Sequence, residues 1–120
     1  MIFRAILNEL LATTMGAVAV VFLDWEGETV ELVCDRDVSD HDLRIIGAYQ
    51  GIHLTRLREL CGRVEGGEPA RFKLQYQRRT VYVQALKDGY YLVLMVQTPQ
   101  LEALSWRSLD RCCARLLEEM

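Results

Sequence analysis

The chain predicts an α/β sandwich: a five-stranded, mostly antiparallel sheet with helices on both faces, in the order helix, strand, strand, helix, strand, strand, strand, helix. Three observations carry this expectation. Segments of helical spacing alternate with segments of strand spacing, and almost no linker separates them in 120 residues. Two strands, Ala17 to Leu23 (AVAVVFL) and Tyr90 to Val96 (YYLVLMV), are apolar on both alternating faces and so require cover above and below. The whole length, residues 1–120, fits one domain, which buries roughly two thirds of its unfolded surface.

In the first helix Phe3, Ile6, Leu7, Leu10 and Leu11 recur at three- and four-residue steps, and Gly16 ends the run. After the first interior strand, Asp24-Trp25-Glu26-Gly27 supplies a turn in which Gly27 takes a positive φ. Thr29 to Cys34 returns with Val30, Leu32 and Cys34 on one face and Glu31 on the other, a pattern suited to a sheet edge.

The polar stretch Asp35 to Asp42 runs into a long helix, with Ser39 capping its free amides and Asp40 and Asp42 opposing the positive end of its dipole. That helix should reach about Gly62. A loop, Glu65 to Pro69, leads to strands Ala70 to Tyr76, Thr80 to Leu86 and Tyr90 to Val96, joined by turns at Arg78-Arg79 and Lys87-Asp88-Gly89. Thr98 with Pro99 reads as a cap and first-turn pair. Leu101, Leu104, Leu109, Cys112, Cys113 and Leu116 then line the inward face of the last helix.

Composition excludes several function classes. An apolar fraction of 51% with 26% charged residues describes a soluble globule, and a net charge of -3 gives no long-range field for nucleic acid. No apolar run approaches the roughly 18 residues that span a bilayer, so no membrane insertion is expected. Residues 1–12 read as an amphipathic helix carrying Glu9, not a secretory signal, which points to the cytoplasm. The four cysteines, Cys34, Cys61, Cys112 and Cys113, have apolar neighbours and no framework spacing, as reduced core thiols do.

Enzyme chemistry finds no support. Glu65-Gly66-Gly67-Glu68 is glycine-rich but acidic and would repel a phosphate. His41 and His53 stand apart from any ligand set, so no metal is expected, and no cofactor motif is present. The paired acids Asp35 and Asp37, or Asp40 and Asp42, have loop and cap explanations. Cys112 and Cys113 point in different directions on a helix, leaving a redox pair as a remote alternative.

The long helix holds the sharper clue. At 100° per residue, an arc including Leu43, Ile45, Ile46, Tyr49, Ile52, His53, Leu54, Leu57, Leu60 and Cys61 spans about 200°, where a surface helix needs little more than 100°. Beside it Gly47, Gly51 and Thr55 form a small-residue stripe that admits another backbone. Either a second subunit covers the excess, through Leu43, Ile46, Gly47, Gln50, Gly51, Leu54 and Leu57, or the chain's own loops do. Ala70 to Tyr76 raises the same question. Phe72, Leu74 and Tyr76 share one face, and Arg71 and Lys73 on the other either deter a neighbouring strand or flank a sheet continued between two copies.

Two exposed features suit partner contacts. Trp25, with Asp24 and Glu26 on the hairpin tip, either meets a partner or packs locally. Arg78 and Arg79 either meet an acidic partner or keep the edge solvated. Arg107, Arg111 and Arg115 read as a solvated stripe on the last helix.

The stretches FRAILNELLATTMGAVAVVFLDWEGETVEL, LRIIGAYQGIHLTRLREL and YYLVLMV followed by a helix resemble the roadblock superfamily, named for the dynein light chain of that type and including bacterial partners of Ras-like polarity GTPases. The resemblance covers nearly the whole chain and places the fold among roadblock, longin and profilin-like sandwiches. It implies a homodimer, or a pairing with another roadblock protein, through antiparallel long helices and a continued sheet. It further implies a non-catalytic platform for a Ras-like small GTPase, acting as a co-regulator that rearranges the GTPase's own catalytic groups, or as a scaffold. A small-molecule sensory module, with a pocket between sheet and helix, is the alternative from a different class.

Overall fold

The computed structural model describes residues 2–35, 37–98 and 101–120. Its elements are α1 (Ile2–Thr13), β1 (Ala17–Leu23), β2 (Thr29–Cys34), α2 (Asp40–Arg63), β3 (Arg71–Gln75), β4 (Arg79–Ala85), β5 (Tyr91–Gln97) and α3 (Glu102–Glu119). The strands form one sheet in the order β2-β1-β5-β4-β3, and every pairing is antiparallel. The two strands that are apolar throughout, β1 and β5, lie inside, and the two alternating strands, β2 and β3, are the edges.

Side chains alternate across the sheet, so its interior divides into two cores. On one face α1 and α3 pack together over Val20, Phe22, Val33, Tyr82, Leu92, Leu94 and Val96, supplying Ile6, Leu7, Leu10, Leu109 and Leu116. On the other, α2 lies over β1, β2 and β5, and places Leu43 and Leu54 against Val21, Leu23, Val93 and Tyr91.

The local signals act as their chemistry dictates. Ser39 Oγ accepts from the Asp42 amide at 3.3 Å and starts α2. Gly27 has φ of 81° in the β1–β2 turn, and Asp24 Oδ1 accepts from the amides of Glu26 and Glu28. Asp88 and Gly89 both adopt positive φ between β4 and β5, as a tight hairpin turn requires.

The start of α3 departs from expectation. Its N-cap is Leu101, with no side-chain cap, and Thr98 Oγ1 instead donates to the Gln77 carbonyl at 2.9 Å. Pro99, the other half of the expected pair, lies outside the described residues. Leu101 and Leu104 are exposed, and the inward face of α3 begins at Ser105. Three- and four-residue spacing continued past the point where the helix overhangs the sheet, so the pattern overstated the buried stripe.

Candidate interaction surface

The seat of α2 on the sheet decides which residues can meet another molecule. Leu43, Gly47, Gln50 and Leu54 are buried against the chain's own sheet. A Cβ at Gly47 would lie 3.0 Å from Leu23 Cδ2, and one at Gly51 would lie 2.7 Å from the Tyr91 hydroxyl. The small-residue stripe therefore admits β1 and β5, not a second helix. Tyr91 Oη donates to the Gly47 carbonyl at 2.8 Å and ties the helix down there. Burial pushes the Tyr91 phenol up to about 12, with Asp24 acting in the same direction and a backbone hydrogen bond from Gly51 opposing.

This corrects the expected subunit contact. Leu43, Gly47, Gln50, Gly51 and Leu54 face inward, because the helix period says which residues share a face but not whose backbone lies against it. Ile46 and Leu57, at the margin of that face, remain half-buried. Outward of them Tyr49 and Leu60 are 58% and 54% exposed, and Ile45 and Ile52 continue the apolar surface over the top of the helix.

The flank bearing Ile46 and His53 looks toward β3 and β4, which α2 does not roof. There Phe72 and Leu74 are half-buried and Tyr76 is 56% exposed. His53 contacts Phe72 edge-on at 6.2 Å and hydrogen-bonds Gln50 Oε1 at 3.2 Å. Near the start of α2 this shelf deepens into an open groove of 460 Å³. Its floor is Val38, Ile46, Val81 and Met95, with Asp37 and Asp42 on one side and Tyr76, Arg78 and Arg79 on the other. The structure thus brings Arg78 and Arg79 together with Ile46. Arg79 also reaches Met95 Sδ at 3.5 Å.

Arg71 and Lys73 belong elsewhere. They lie on the opposite face of β3, where Arg71 Nη1 meets Asp110 at 3.2 Å and its guanidinium stacks 4.4 Å over Trp106. Lys73 Nζ meets Glu102 at 2.8 Å. Lys73, and then the Trp106 indole N–H, hold the Glu102 carboxyl below its ordinary range. These two cations clamp β3 to α3 within one copy. The strand's backbone edge stays open, since β3 is paired with β4 alone.

Trp25 packs locally in part. Its ring meets Tyr90 edge-on at 5.5 Å and its Cβ presses on Gly89, yet it is 62% exposed. Asp24 is engaged in the turn, and Glu26 is exposed beside Trp25. The tip lies at the end of β1 that adjoins Tyr91 in β5, whereas Arg78 and Arg79 adjoin Gln97 at the other end of that strand. Trp25 and the arginine pair are therefore two separate patches.

Exposed Tyr49, Leu60 and Tyr76, with half-buried Phe72 and Leu74, complete the open surface. Their signal was present in the apolar arc of α2 and the alternation of β3. What was missing was the side of the sheet on which α2 rests. Burial pushes the Cys112 thiol up to about 12 and raises Cys113 further, so neither is a thiolate at neutral pH. Among the described residues no three His, Cys, Asp or Glu side chains gather as a metal site, and no helix is long and apolar enough to cross a membrane.

Neither a protein-family model nor a curated protein matches this sequence. Solved structures do match its architecture. The Roadblock/LC7 domain from Streptomyces avermitilis aligns with a TM-score of 0.87 at 11% identity, covering 97% of this chain and 95% of its own. The gliding protein MglB from Thermus thermophilus aligns with a TM-score of 0.84 at 16% identity, covering 95% and 84%. An MglB with a tetrameric arrangement aligns with a TM-score of 0.85 at 18% identity, covering 98% and 88%. The chain has the roadblock fold. At these identities it is the backbone architecture that is shared.

Proposed function

We propose that this chain is a non-catalytic regulatory or scaffold module that pairs with a second copy, or with another roadblock protein, and in that form binds a Ras-like small GTPase. The observation that carries the pairing is the unroofed half of the α2 face. Phe72, Leu74 and Tyr76 of β3, together with Ile46, Tyr49, Leu57 and Leu60 of α2, make a continuous apolar shelf beside a free strand edge. Apolar patches of this kind on a folded domain mark contact sites, and a second copy of α2 is the occupant that would extend the same apolar surface. Arrangement of the MglB relative as a tetramer is consistent with pairing. The GTPase partner and a place in polarity or motility rest on the resemblance of the sequence to bacterial roadblock partners of such GTPases.

Light scattering tests the pairing. The native chain is expected at twice the mass of one copy, and Leu60→Asp and Tyr49→Asp at the mass of one copy with an unchanged circular dichroism spectrum. A native chain that stays single at high concentration overturns the assembly. For the GTPase, single-turnover GTP hydrolysis by a purified Ras-like protein from the same cell, with and without this chain, separates a co-regulator from a scaffold. Absence of both binding and rate change refutes the partner.

The groove between Ile46 and Tyr76 favours a second reading, a small-molecule sensory module. A ligand that raises the melting temperature at unchanged mass would establish it.

A further inference from the structure

A second cavity, on the opposite face of the sheet, has a different chemistry. Between the end of α1 and the first two turns of α3 lies an open space of 340 Å³, and three buried hydroxyl residues stand on its wall: Thr14, Ser105 and Ser108. Thr14 is 7% exposed, and its Oγ1 has no hydrogen-bond partner. A buried hydroxyl without a partner is costly, and folded proteins retain few of them.

The rim is cationic. Arg107 and Arg111 stand four residues apart on α3, both exposed, and neither has a carboxylate partner among the described residues. Their neighbours differ: Arg115 is paired with Glu9, and Arg71 and Lys73 with Asp110 and Glu102. The first turn of α3 borders the same space and begins at Leu101 without a side-chain cap, and the acidic residue of that turn, Glu102, is engaged by Lys73. At the end of α1 the Glu9 carbonyl is engaged by Thr13, the Leu10 carbonyl by the Thr14 amide, and the Thr14 carbonyl by the Ala17 amide.

Two guanidinium groups, the unpartnered Thr14 hydroxyl and a helix N-terminus outnumber what the two oxygens of a carboxylate accept, and match the three free oxygens of a phosphate. Around this polar centre the lip is apolar. Met15 is 84% exposed, and Leu101 and Leu104 are exposed beside it. We propose that this cavity is a binding site for a phosphomonoester carried on an apolar body, with Arg107 and Arg111 clamping the phosphate, Thr14 donating to one of its oxygens, and Met15 and Leu104 contacting the body. Such a group occurs on soluble organic phosphates and on lipid headgroups. The site is independent of the pairing proposed above, since it uses α1 and α3 and none of the shelf.

Phenyl phosphate titrated into the native chain, followed by amide chemical shifts, tests the proposal. Saturable shifts are expected at residues 14–15 and 104–111. Arg107→Gln with Arg111→Gln should weaken binding by about tenfold or more, because two charge-assisted contacts are lost. Thr14→Val should weaken binding several-fold while the unliganded protein melts no lower than the native chain, since valine fills the same space without an unpaired hydroxyl. No saturable binding, or binding unaffected by Thr14→Val, overturns the site as a mere attraction to surface arginines. Phosphatidylcholine vesicles with and without phosphatidic acid then distinguish the sources. Recruitment that requires phosphatidic acid and is lost in the double arginine variant assigns a lipid, and phenyl phosphate binding without recruitment assigns a soluble phosphate.

Discussion

The two faces of the sheet are built from similar apolar strands but are covered differently. Over one face, α1 and α3 pack against each other and seal residues such as Tyr82, Leu94 and Leu109. Over the other, the single helix α2 sits toward β1 and β2, leaving Phe72, Leu74 and Tyr76 on a half-open shelf. The difference teaches where stability and recognition reside. A face roofed by two helices contributes stability to one copy, whereas a face roofed by one keeps apolar surface that only another molecule can cover.

The strongest test of this contrast compares truncations on the two faces. Leu109→Ala, at a fully buried site, should cost about 2–5 kcal/mol in urea unfolding, independent of protein concentration. Leu60→Ala on the open flank should cost a single copy less than about 0.5 kcal/mol, with its effect confined to the concentration dependence of unfolding. Equal, concentration-independent losses would break the comparison.

Next in size is the seat of α2. Gly51→Ala pushes a methyl against the buried Tyr91 hydroxyl and should cost about 1–3 kcal/mol, despite alanine's better helix propensity. Tyr91→Phe alone should cost about 1 kcal/mol through loss of the bond to the Gly47 carbonyl. In the double variant the vacated hydroxyl volume should make the substitution at Gly51 milder, which a double-mutant cycle would register as coupling. Simple additivity would mean that α2 is not seated as described.

A further test is a pH dependence that both faces share. The fold raises Tyr91 to about 12 from an ordinary 10, and Cys112 to about 12 from an ordinary 9. Each group is held in its protonated form, so its contribution is intact below the unfolded value and is lost as pH rises through the folded one. Stability should be flat through neutral pH and fall between about 9 and 12, by up to roughly 4 kcal/mol at pH 11. Urea midpoints at pH 8 and pH 11 measure the loss. Tyr91→Phe should remove the part that belongs to the α2 face.

Much of this architecture was legible in residue order. β1 and β5 announced themselves as interior strands by being apolar on both faces, and β2 and β3 as edges by alternating. Ser39, Gly27 and the Asp88-Gly89 pair marked their boundaries through local chemistry. What α2 rests on was less legible. The excess of apolar residues on α2 was real, but the side chains chosen from it were mostly those that face the sheet, and Gly47 and Gly51 were assigned to another helix when they admit Leu23 and Tyr91. Arg71 and Lys73, read as edge residues, are clamped to Asp110 and Glu102, which lie far away along the chain.

What residue order determined by itself was the number, type and sequence of the elements, because helix and strand periods, caps and turns are local properties of neighbouring residues. What only the tertiary structure decided was the side of the sheet on which each helix rests and how far its roof extends. Those depend on contacts between distant segments: the Tyr91 hydroxyl under α2, the ion pairs from β3 to α3, and the meeting of Thr14 with the start of α3. An amphipathic pattern fixes which residues of a helix prefer to leave water, and the fold supplies what they find there.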